Sequence, residues 1–257
     1  MEAYSLAFFV FIFGLCFGSF LNVLIIRLPL KHSLLTSSSC PLCQSKIAWY
    51  HNIPLVSYVF LKGRCASCHE KISLQYSLVE LLTAGVTLGL FYKLGISYDF
   101  FVVTFLFYGL IVLSGIDLKY HAVPDYLLLI LVILVFFISS QSFLEQFKNA
   151  SLMSGGVVLL VFVLNFYIQN IKSRLKSDET LKTQTALGEG DIPIIAVMGA
   201  LLGVQGAIAA VFLASLFAII PALYNKLIKK QHETPFIPFL SLGLGVEYIF
   251  TVSKVFH

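Results

Sequence analysis

The sequence predicts an all-α polytopic membrane protein with about eight transmembrane helices and a small cytoplasmic zinc-ribbon-like domain between helices 1 and 2. Three observations support this fold class. Of the 257 residues, 58% are hydrophobic and only 12% are charged, whereas soluble domains are about half apolar and about a quarter charged. The apolar residues are concentrated in long blocks, and two C-x-x-C pairs stand in the first long polar segment.

The apolar blocks predict the individual membrane spans. A helix needs roughly 20 apolar residues to cross the bilayer core. The clear candidates are residues 4–26, 78–92, 100–116, 126–138, 152–168, 207–223 and 236–252. The block 192–223 is too long for one ordinary span, and Gly203-Val204-Gln205-Gly206 interrupts it. This block could form one tilted helix or two short ones.

The positions of the basic residues decide between these alternatives. With eight spans and both termini outside, the cytoplasmic segments contain 14 of the 17 Lys and Arg residues. These segments are 27–77, 117–125, 169–191 and 224–235. The asymmetry follows the positive-inside rule, and a single span over 192–223 would weaken it. We therefore expect eight helices in the lipid bilayer, and we attribute the net charge of +4 to basic loops rather than to a nucleic-acid partner.

The polar segments divide the chain into three predicted domains. Residues 1–26 form the first span, which we expect to be retained because no basic segment precedes it and no cleavage site follows it. Residues 27–77 form the cytoplasmic tetracysteine domain, and residues 78–257 form a seven-helix membrane domain. Residues 172–187 are polar and lack aromatic side chains, so we predict a solvated loop there. No internal repeat of fixed period is evident.

The tetracysteine segment carries the pattern of a structural zinc site. The pairs Cys40-Pro41-Leu42-Cys43 and Cys65-Ala66-Ser67-Cys68 are separated by 21 residues, and two such turns can complete a Cys₄ tetrahedron around Zn²⁺. Because protein ligands would fill all four positions, the metal would be structural. Redox or disulfide use is the alternative, although a cytoplasmic location disfavours disulfides. We interpret His51 and His69 as polar loop residues and Cys16 as a small buried hydrophobic residue.

Two acidic residues lie where lipid should exclude them. Asp117 ends the apolar run 100–116, and Asp191 follows Gly188-Glu189-Gly190 and opens the next apolar run. An acid at a membrane boundary usually faces a protein interior or a wet cavity, and we predict both boundaries at the cytoplasmic face. Gly188 and Gly190 would let the backbone bend and approach a substrate strand.

Two carboxylates within a few ångströms would form an aspartic-protease pair. They cannot both ionise easily, so one keeps a proton while the other acts as a base. The ionised partner would activate water, and the protonated partner would polarise the peptide carbonyl and assist the leaving amine. The alternative is that Asp117 and Asp191 are helix-boundary residues, for example a cap or a partner of Lys119. We favour the catalytic pair.

Two further acids are candidates. Asp125 follows Pro124 and precedes an apolar run, so it could be a helix N-cap or a functional acid. Glu80 lies inside an apolar run near the predicted cytoplasmic face, where it could be a hydrogen-bonded boundary residue or a functional group. A non-enzymatic alternative is a small transporter whose acids carry protons or cations, with the zinc loop as a regulatory domain. That alternative predicts acids near the bilayer midplane, whereas Asp117 and Asp191 flank loops.

Several motifs, taken in order, make the chain resemble a known family. They are Gly18-Ser19-Phe20-Leu21-Asn22-Val23 with Arg27-Leu28-Pro29, the two C-x-x-C pairs, Leu78-Val79-Glu80, Ile116-Asp117 with Val123-Pro124-Asp125, and Gly188-Glu189-Gly190-Asp191 followed by Met198-Gly199-Ala200. Each motif is weak by itself, but their order and spacing are specific. On these residues, over nearly the whole length, the chain resembles the type IV prepilin peptidases, membrane aspartic proteases of the Gly-x-Gly-Asp class.

The resemblance implies a bifunctional enzyme of the bacterial inner membrane. Members cleave the short basic leader of prepilins and pseudopilins at the cytoplasmic face and then methylate the new N-terminal residue with S-adenosylmethionine. Carried over, Asp117 and Asp191 occupy the catalytic positions, residues 27–77 match the methyltransferase part, and residues 78–257 match the peptidase domain. Methylation rests on the resemblance alone. A related peptidase acting on archaeal preflagellin-like substrates is the alternative, and the tetracysteine domain argues for the bacterial type.

One position departs from the family pattern. Members commonly read Gly-x-Gly-Asp-x-Lys, whereas Ile192-Pro193 follows Asp191 here. A basic partner is therefore missing at that position, which would alter the protonation of the acid pair or its grip on the substrate. Proline at an early helix position is itself structurally natural.

Overall fold

The computed structural model describes residues 2–34, 36–167, 169, 188–224, 227 and 234–253. Within these ranges the chain is almost entirely helical and contains no β-strand, only two isolated antiparallel bridges. The all-α prediction is therefore confirmed. The predicted solvated loop 172–187 lies outside the described residues.

The helices follow the predicted spans in order. They are α1 Glu2–Arg27, α2 Val56–Phe60, α3 Gln75–Leu94, α4 Tyr98–Tyr120, α5 Asp125–Val135, α6 Phe143–Phe166, α7 Asp191–Tyr224 and α8 Ile237–Phe250, with a 3₁₀ turn at Trp49–Asn52. Among the described residues, five helices are long and apolar enough to cross a membrane, namely α1, α3, α4, α6 and α7. The chain divides into two units, Met1–Ala122 and Val123–His257.

Helix α7 consists of two helices that meet at Gly203. The backbone of Gly203 has φ 72° and ψ 173°, a conformation that glycine adopts without steric cost. The long block 192–223 therefore forms two short helices, the alternative that the loop charges favoured. Helices α5 and α8 are apolar but shorter than a full span. When α7 is divided at Gly203, the described part of the chain holds eight apolar helices besides the five-residue α2.

The largest boundary error concerns α6, which begins at Phe143 rather than at the predicted residue 152. The Ser142 hydroxyl accepts a hydrogen bond from the Glu145 N–H (3.4 Å) and caps the helix, as Ser followed three residues later by Glu commonly does. Gln146 is 1% exposed and donates to the Ile138 carbonyl oxygen (3.0 Å). Hydropathy missed this part of the helix because the polar residues Glu145, Gln146, Lys148 and Asn149 lower its mean hydropathy.

Small residues let helices α1 and α3 of the first unit approach backbone to backbone. A Cβ atom added at Gly14 would lie 2.6 Å from Ala84 Cα, and one added at Gly18 would lie 2.6 Å from Glu80 Cα. Two glycines four residues apart are a common helix-packing device in membranes, where close van der Waals contact replaces the hydrophobic driving force. This contact positions the ends of α1 and α3 that carry the tetracysteine domain.

The second unit is built around α7, which contacts α5, α6 and α8. A Cβ atom at Gly199 would lie 2.6 Å from the Asn149 carbonyl oxygen, and one at Gly243 would clash with the Ala210 carbonyl oxygen. Glu247 of α8 is 2% exposed, and its carboxylate accepts hydrogen bonds from the Ser253 N–H (3.2 and 3.1 Å) and hydroxyl. The buried Glu247 carboxylate thus receives its hydrogen bonds from a residue six positions further along the chain.

The α1–α3 contact predicts different effects for two glycine substitutions. Gly14→Ala should lower the free energy of unfolding by about 1–3 kcal/mol, because the added methyl group overpacks the helix interface. Gly85→Ala on α3 is the matched control, since nothing lies within 4 Å of its added Cβ; it should stabilise the helix by about 0.5–1 kcal/mol. Thermal unfolding of both variants in detergent, followed by scanning fluorimetry, measures the difference. Equal melting temperatures would contradict the close contact.

Candidate functional site

The tetracysteine domain contains two knuckles of the same geometry, residues 40–47 and 65–72. In the first knuckle the Cys40 N–H donates to the Ser45 carbonyl oxygen (3.0 Å) and the Gln44 N–H donates to the Cys40 carbonyl oxygen (2.9 Å). The second knuckle repeats both bonds at the equivalent residues, with lengths of 2.8 and 3.0 Å. An isolated β-bridge closes each knuckle.

The matching geometry reveals a repeat that the sequence analysis missed. Both knuckles have the pattern C-x-x-C-x-x-Lys-Ile, and the residue after the second cysteine has a left-handed backbone in each, with φ 57° at Gln44 and 58° at His69. From the sequence only the C-x-x-C pairs of this motif were recognised, and a motif that occurs twice does not test the expectation of no repeat of fixed period. The similarity escaped notice because the two knuckles share few positions beyond their cysteines.

The four cysteine sulfurs are close enough to bind one metal ion. The Sγ atoms of Cys40, Cys43, Cys65 and Cys68 all lie within 4.8 Å of one another, and the Cys40 and Cys68 sulfurs are 3.9 Å apart. A tetrahedral ion with metal–sulfur bonds of about 2.3 Å has sulfur–sulfur edges of about 3.8 Å. All four cysteines are free thiols, so the disulfide alternative is not supported. Neither His51 nor His69 belongs to this group.

Local hydrogen bonds favour the thiolate form of two of these cysteines. The Ser45 hydroxyl lies 3.0 Å from Cys43 Sγ, and this hydroxyl, together with the Ser45 backbone N–H, lowers the pKa of Cys43 to about 6. The backbone N–H groups of Cys68 and Ser67 lower the pKa of Cys65. Because the thiolate is the metal-binding form, these hydrogen bonds prepare Cys43 and Cys65 for a metal. At Cys68 the Glu70 backbone N–H acts in the same direction, but burial and the neighbouring cysteine thiols raise the pKa to about 12.

Cys16 lies apart from this cluster on an exposed part of α1. The expectation that Cys16 is buried is wrong. Its apolar neighbours are equally suited to contact with lipid, so hydropathy did not distinguish an outward from an inward position.

A cavity of about 450 Å³, here called the first cavity, lies between α1, α3 and the tetracysteine domain. Asn22 of α1 lines it, and the Asn22 side-chain N–H₂ donates to the carbonyl oxygens of Gly18 (3.2 Å) and Tyr76 (3.0 Å). Within the described ranges, the other amide atom, Asn22 Oδ1, is buried without a hydrogen-bond partner. The Ser77 hydroxyl, which also lines the cavity, is likewise buried and unpartnered there.

Glu80 connects α3 to the tetracysteine domain. Its side chain is 7% exposed, and Oε2 accepts a hydrogen bond from the Leu55 N–H (2.9 Å). Leu55 has φ 58°, an unfavourable value for a branched residue, so this hydrogen bond helps to hold a strained turn. The hydrogen-bonded alternative for Glu80 is therefore observed, while a functional role stays a prediction.

Asp117 lies in the last turn of α4, as predicted for the end of the third span. Its side chain is 8% exposed. The Asp117 carbonyl oxygen accepts a hydrogen bond from the His121 N–H (3.0 Å), and His121 ends the helix with a left-handed backbone. The carboxyl group is thus held on a regular helix near its C-terminal end, within the first unit.

Asp191 is the first residue of α7, in the second unit, and is 5% exposed. Its Oδ2 accepts a hydrogen bond from the Gly188 N–H (3.2 Å), and its own N–H donates to the Gly188 carbonyl oxygen (3.2 Å). A Cβ atom at Gly188 would lie 3.3 Å from Oδ2. Neither Gly188 nor Gly190 has a positive φ, so Gly188 serves this close approach rather than an unusual bend. Pairing of Asp117 with Asp191 stays a prediction.

A second cavity, of about 310 Å³, lies beside the start of α7. It is lined by Asp125, Leu128, Leu129, Val132, Glu189, Gly190 and Pro193. Asp125 is the first residue of α5, whose N-cap is Pro124 and has no side-chain cap bond. The N-cap interpretation of Asp125 is therefore wrong, because Pro124 already occupies that position. Asp125 and Glu189 instead bring two exposed carboxylates to one cavity.

No role was predicted from the sequence for Asn22, Ser77 or Glu189. Asn22 is an amide inside an otherwise apolar helix, three residues after Ser19 on the same face, and this spacing was an available indication. Glu189 occupies the variable position of Gly-x-Gly-Asp, where the motif specifies no residue type and therefore predicts no role. Ser77 carries no local pattern that distinguishes it.

These features define a class of protein: a multi-pass helical membrane protein with a Cys₄ domain that could hold a metal ion, and with acids buried at helix ends. Known families match both parts of the chain. A profile of the bacterial peptidase A24 N-terminal domain matches residues 12–94, and one of the type IV leader peptidase family matches residues 104–223. The chain belongs to the type IV leader peptidase family, as its motifs predicted.

Curated relatives cover most of the chain. Proteins named "Prepilin leader peptidase/N-methyltransferase" include one from Bacillus subtilis, 31% identical over 252 residues, covering 96% of this chain and 95% of the relative. The Vibrio cholerae relative is 32% identical, covering 81% and 82%. The Myxococcus xanthus relative is 33% identical, covering 82% of this chain and 60% of that protein. No solved structure matches the chain. The transporter alternative is not supported.

The cysteine geometry predicts that the purified protein carries about one metal ion per chain. The double substitution Cys40→Ser/Cys43→Ser should remove it, because two of four ligands are lost. Cys16→Ser is the matched control and should retain the metal, since Cys16 is not in the group. Mass-spectrometric metal analysis of the three proteins is the measurement. Unchanged metal content in the double variant would rule out this site.

Proposed function

We propose that the chain is a membrane aspartic endopeptidase that cleaves the basic leader of prepilins or pseudopilins and then N-methylates the new N-terminus. Membership of the type IV leader peptidase family carries this proposal, and the relatives are named for both activities. The buried carboxylates at the ends of α4 and α7 supply residues of the required chemistry.

We assign Asp117 and Asp191 as the two catalytic acids. Asp191 starts a helix, where negative charge is favoured, and it already accepts the Gly188 N–H, so it serves as the ionised base that removes a proton from water. Asp117 serves as the protonated acid that polarises the peptide carbonyl. The resulting hydroxide equivalent adds to the carbonyl carbon, and the C–N bond then breaks as the leaving nitrogen takes a proton.

The reaction takes place at the cytoplasmic face of the bacterial inner membrane in this proposal. Support comes from the basic residues, which are concentrated in the segments predicted to be cytoplasmic, following the positive-inside rule. This is also the face from which a basic leader on an apolar helix would be presented.

The second cavity receives basic side chains of the leader. Its acids, Asp125 and Glu189, are exposed, and its remaining wall is largely apolar. Exposed carboxylates attract cations over several ångströms without a large desolvation cost. Glu189 stands two residues before Asp191, so a bound leader would lie next to that catalytic acid.

The metal of the tetracysteine domain is structural Zn²⁺. Four thiolates at tetrahedral spacing are a donor set typical of structural zinc sites, which leave no open position for catalysis. The zinc would fix the two knuckles relative to each other, and with them the residues 40–72 that line the first cavity.

The acid assignment predicts the outcome of charge-neutral substitutions. Asp117→Asn and Asp191→Asn should each lower the rate of leader removal by about 10²–10⁴-fold, the usual contribution of acid–base catalysis. Asp99→Asn is the matched control, because Asp99 lies at the opposite end of α4 from Asp117. Co-expression with a prepilin and electrophoresis of the product measures processing. Continued leader removal in either catalytic variant would contradict the assignment of that residue as a catalytic acid.

The second cavity predicts a separate effect on substrate affinity. Asp125→Asn/Glu189→Gln should raise the KM for a basic leader about 3- to 30-fold, as expected for losing two exposed charge pairs of up to about 1 kcal/mol each, with a smaller change in kcat. Steady-state cleavage of a purified prepilin gives both constants. A prepilin whose leader lysines and arginines are replaced by glutamine is the control substrate. If the double substitution raises the KM for this control substrate by the same factor as for the basic leader, the cavity does not recognise charge.

A further inference from the structure

We propose that the first cavity binds the methyl donor S-adenosylmethionine, with Asn22, Ser77 and Glu80 surrounding the amino group of its methionyl part. This inference rests on the proposed N-methylation and assigns a place to it. The cavity lies entirely within the first unit, between the ends of α1 and α3 and the tetracysteine domain. It is separate from the residues assigned to peptide cleavage.

The cavity floor carries hydrogen-bonding groups that the protein leaves without partners. Both partners of the Asn22 side-chain N–H₂ are carbonyl oxygens, so the orientation of the amide is settled and Oδ1 is the unpartnered acceptor. Asn22 is 2% exposed. Buried polar atoms in native proteins are nearly always paired. Two such atoms in one cavity, Asn22 Oδ1 and Ser77 Oγ, point to a ligand that supplies N–H donors.

Acidic and basic side chains both line the cavity, with Glu70 and Glu80 on one side of the balance and Arg27, Lys46 and Lys71 on the other. Glu80 lines the same cavity, is 7% exposed, and accepts hydrogen bonds from the Leu55 N–H and the Ser19 side chain. The Glu80 carboxylate favours a positive group beside it, and the basic side chains suit a carboxylate, which S-adenosylmethionine also has. S-adenosylmethionine carries two positive groups, an ammonium and a sulfonium, and its ammonium also supplies three N–H donors.

The volume of the cavity and the tyrosines that line it suit a nucleoside. The volume of about 450 Å³ falls in the range of about 300–1,000 Å³ typical of small-molecule sites. Tyr58 and Tyr76 line the cavity, and aromatic faces suit both an adenine ring and a sulfonium cation. Tyr58 is positioned by Gly63, where an added Cβ atom would lie 2.8 Å from the Tyr58 hydroxyl.

The lining explains why the tetracysteine domain accompanies a methyltransferase. Cys40, Cys65 and their neighbours form part of the cavity wall, so a metal that fixes the knuckles also shapes the donor site. In the transfer, the amine nitrogen of the new N-terminus forms a bond to the methyl carbon with its lone pair. The sulfur–carbon bond breaks with its electron pair retained on sulfur, and one proton leaves the nitrogen.

Two substitutions test the site and keep the hydrogen bond that Glu80 accepts from the Leu55 N–H. Ser77→Ala deletes a hydroxyl that has no protein partner, and Glu80→Gln keeps an acceptor for the Leu55 N–H while removing the charge. Isothermal titration of the full-length protein in detergent with S-adenosylmethionine should show about 2- to 12-fold weaker binding for Ser77→Ala. For Glu80→Gln it should show about 10- to 150-fold weaker binding, the effects expected for a neutral and a charge-assisted hydrogen bond.

Thr104→Val is the matched control. The Thr104 hydroxyl is also buried and unpartnered, but Thr104 lies in α4 and does not line the cavity. The Thr104→Val variant should therefore bind S-adenosylmethionine with the affinity of the wild type. Equal affinities in all four proteins would overturn the proposed location while leaving N-methylation intact. Absence of binding to the wild type would also overturn it. Mass spectrometry of processed pilin from the same cells then shows whether methylation itself fails.

Photo-crosslinking gives a second measurement that does not depend on the variants folding. Irradiation of the wild-type protein with radiolabelled S-adenosylmethionine should label peptides from residues 19–80, which contain the cavity lining. Excess S-adenosylhomocysteine should prevent the labelling. Label confined to the second unit would place the donor elsewhere and overturn the inference.

Discussion

Close backbone contact between helices is the constraint on which the rest of this structure depends. In lipid, moving an apolar side chain into a helix interface gains little free energy, because both environments are apolar. Helices therefore associate through van der Waals contact and hydrogen bonds. Gly14 and Gly18 bring α1 against the backbone of α3, and Gly243 brings α8 against α7. Because Gly18 meets Glu80, the Asn22 amide one turn later reaches the Tyr76 carbonyl oxygen. The floor of the first cavity follows from this contact.

Buried acids in this protein are held by backbone N–H groups. Glu80 accepts from Leu55, Asp191 from Gly188, and Glu247 from Ser253. Each of these bonds offsets part of the cost of burying a carboxylate. After Asp191, Ile192-Pro193 continues the helix in place of the lysine that the family commonly has.

Much of the fold was predictable because it depends on local composition. The apolar blocks predicted the helices, the glycines at 203 and 206 predicted the division of α7, and the C-x-x-C spacing predicted the thiol cluster. The errors have a common cause. Cys16 was expected to be buried, α6 was begun too late, and Asp125 was considered as an N-cap. Each depends on which neighbour a residue meets, and hydropathy carries no information about neighbours.

The sequence by itself determined the class of protein, its order of spans, its thiol ligands and its family, since these follow from composition, spacing and motif order. Only the tertiary structure decided which polar groups share a cavity. Asn22, Ser77 and Glu80 belong to two helices separated by a whole domain, and Asp125 and Glu189 are far apart along the chain. Lipid and the protein interior are both apolar, so the lipid-facing and buried faces of a membrane helix carry similar side chains. The sequence therefore does not show which face packs against another helix.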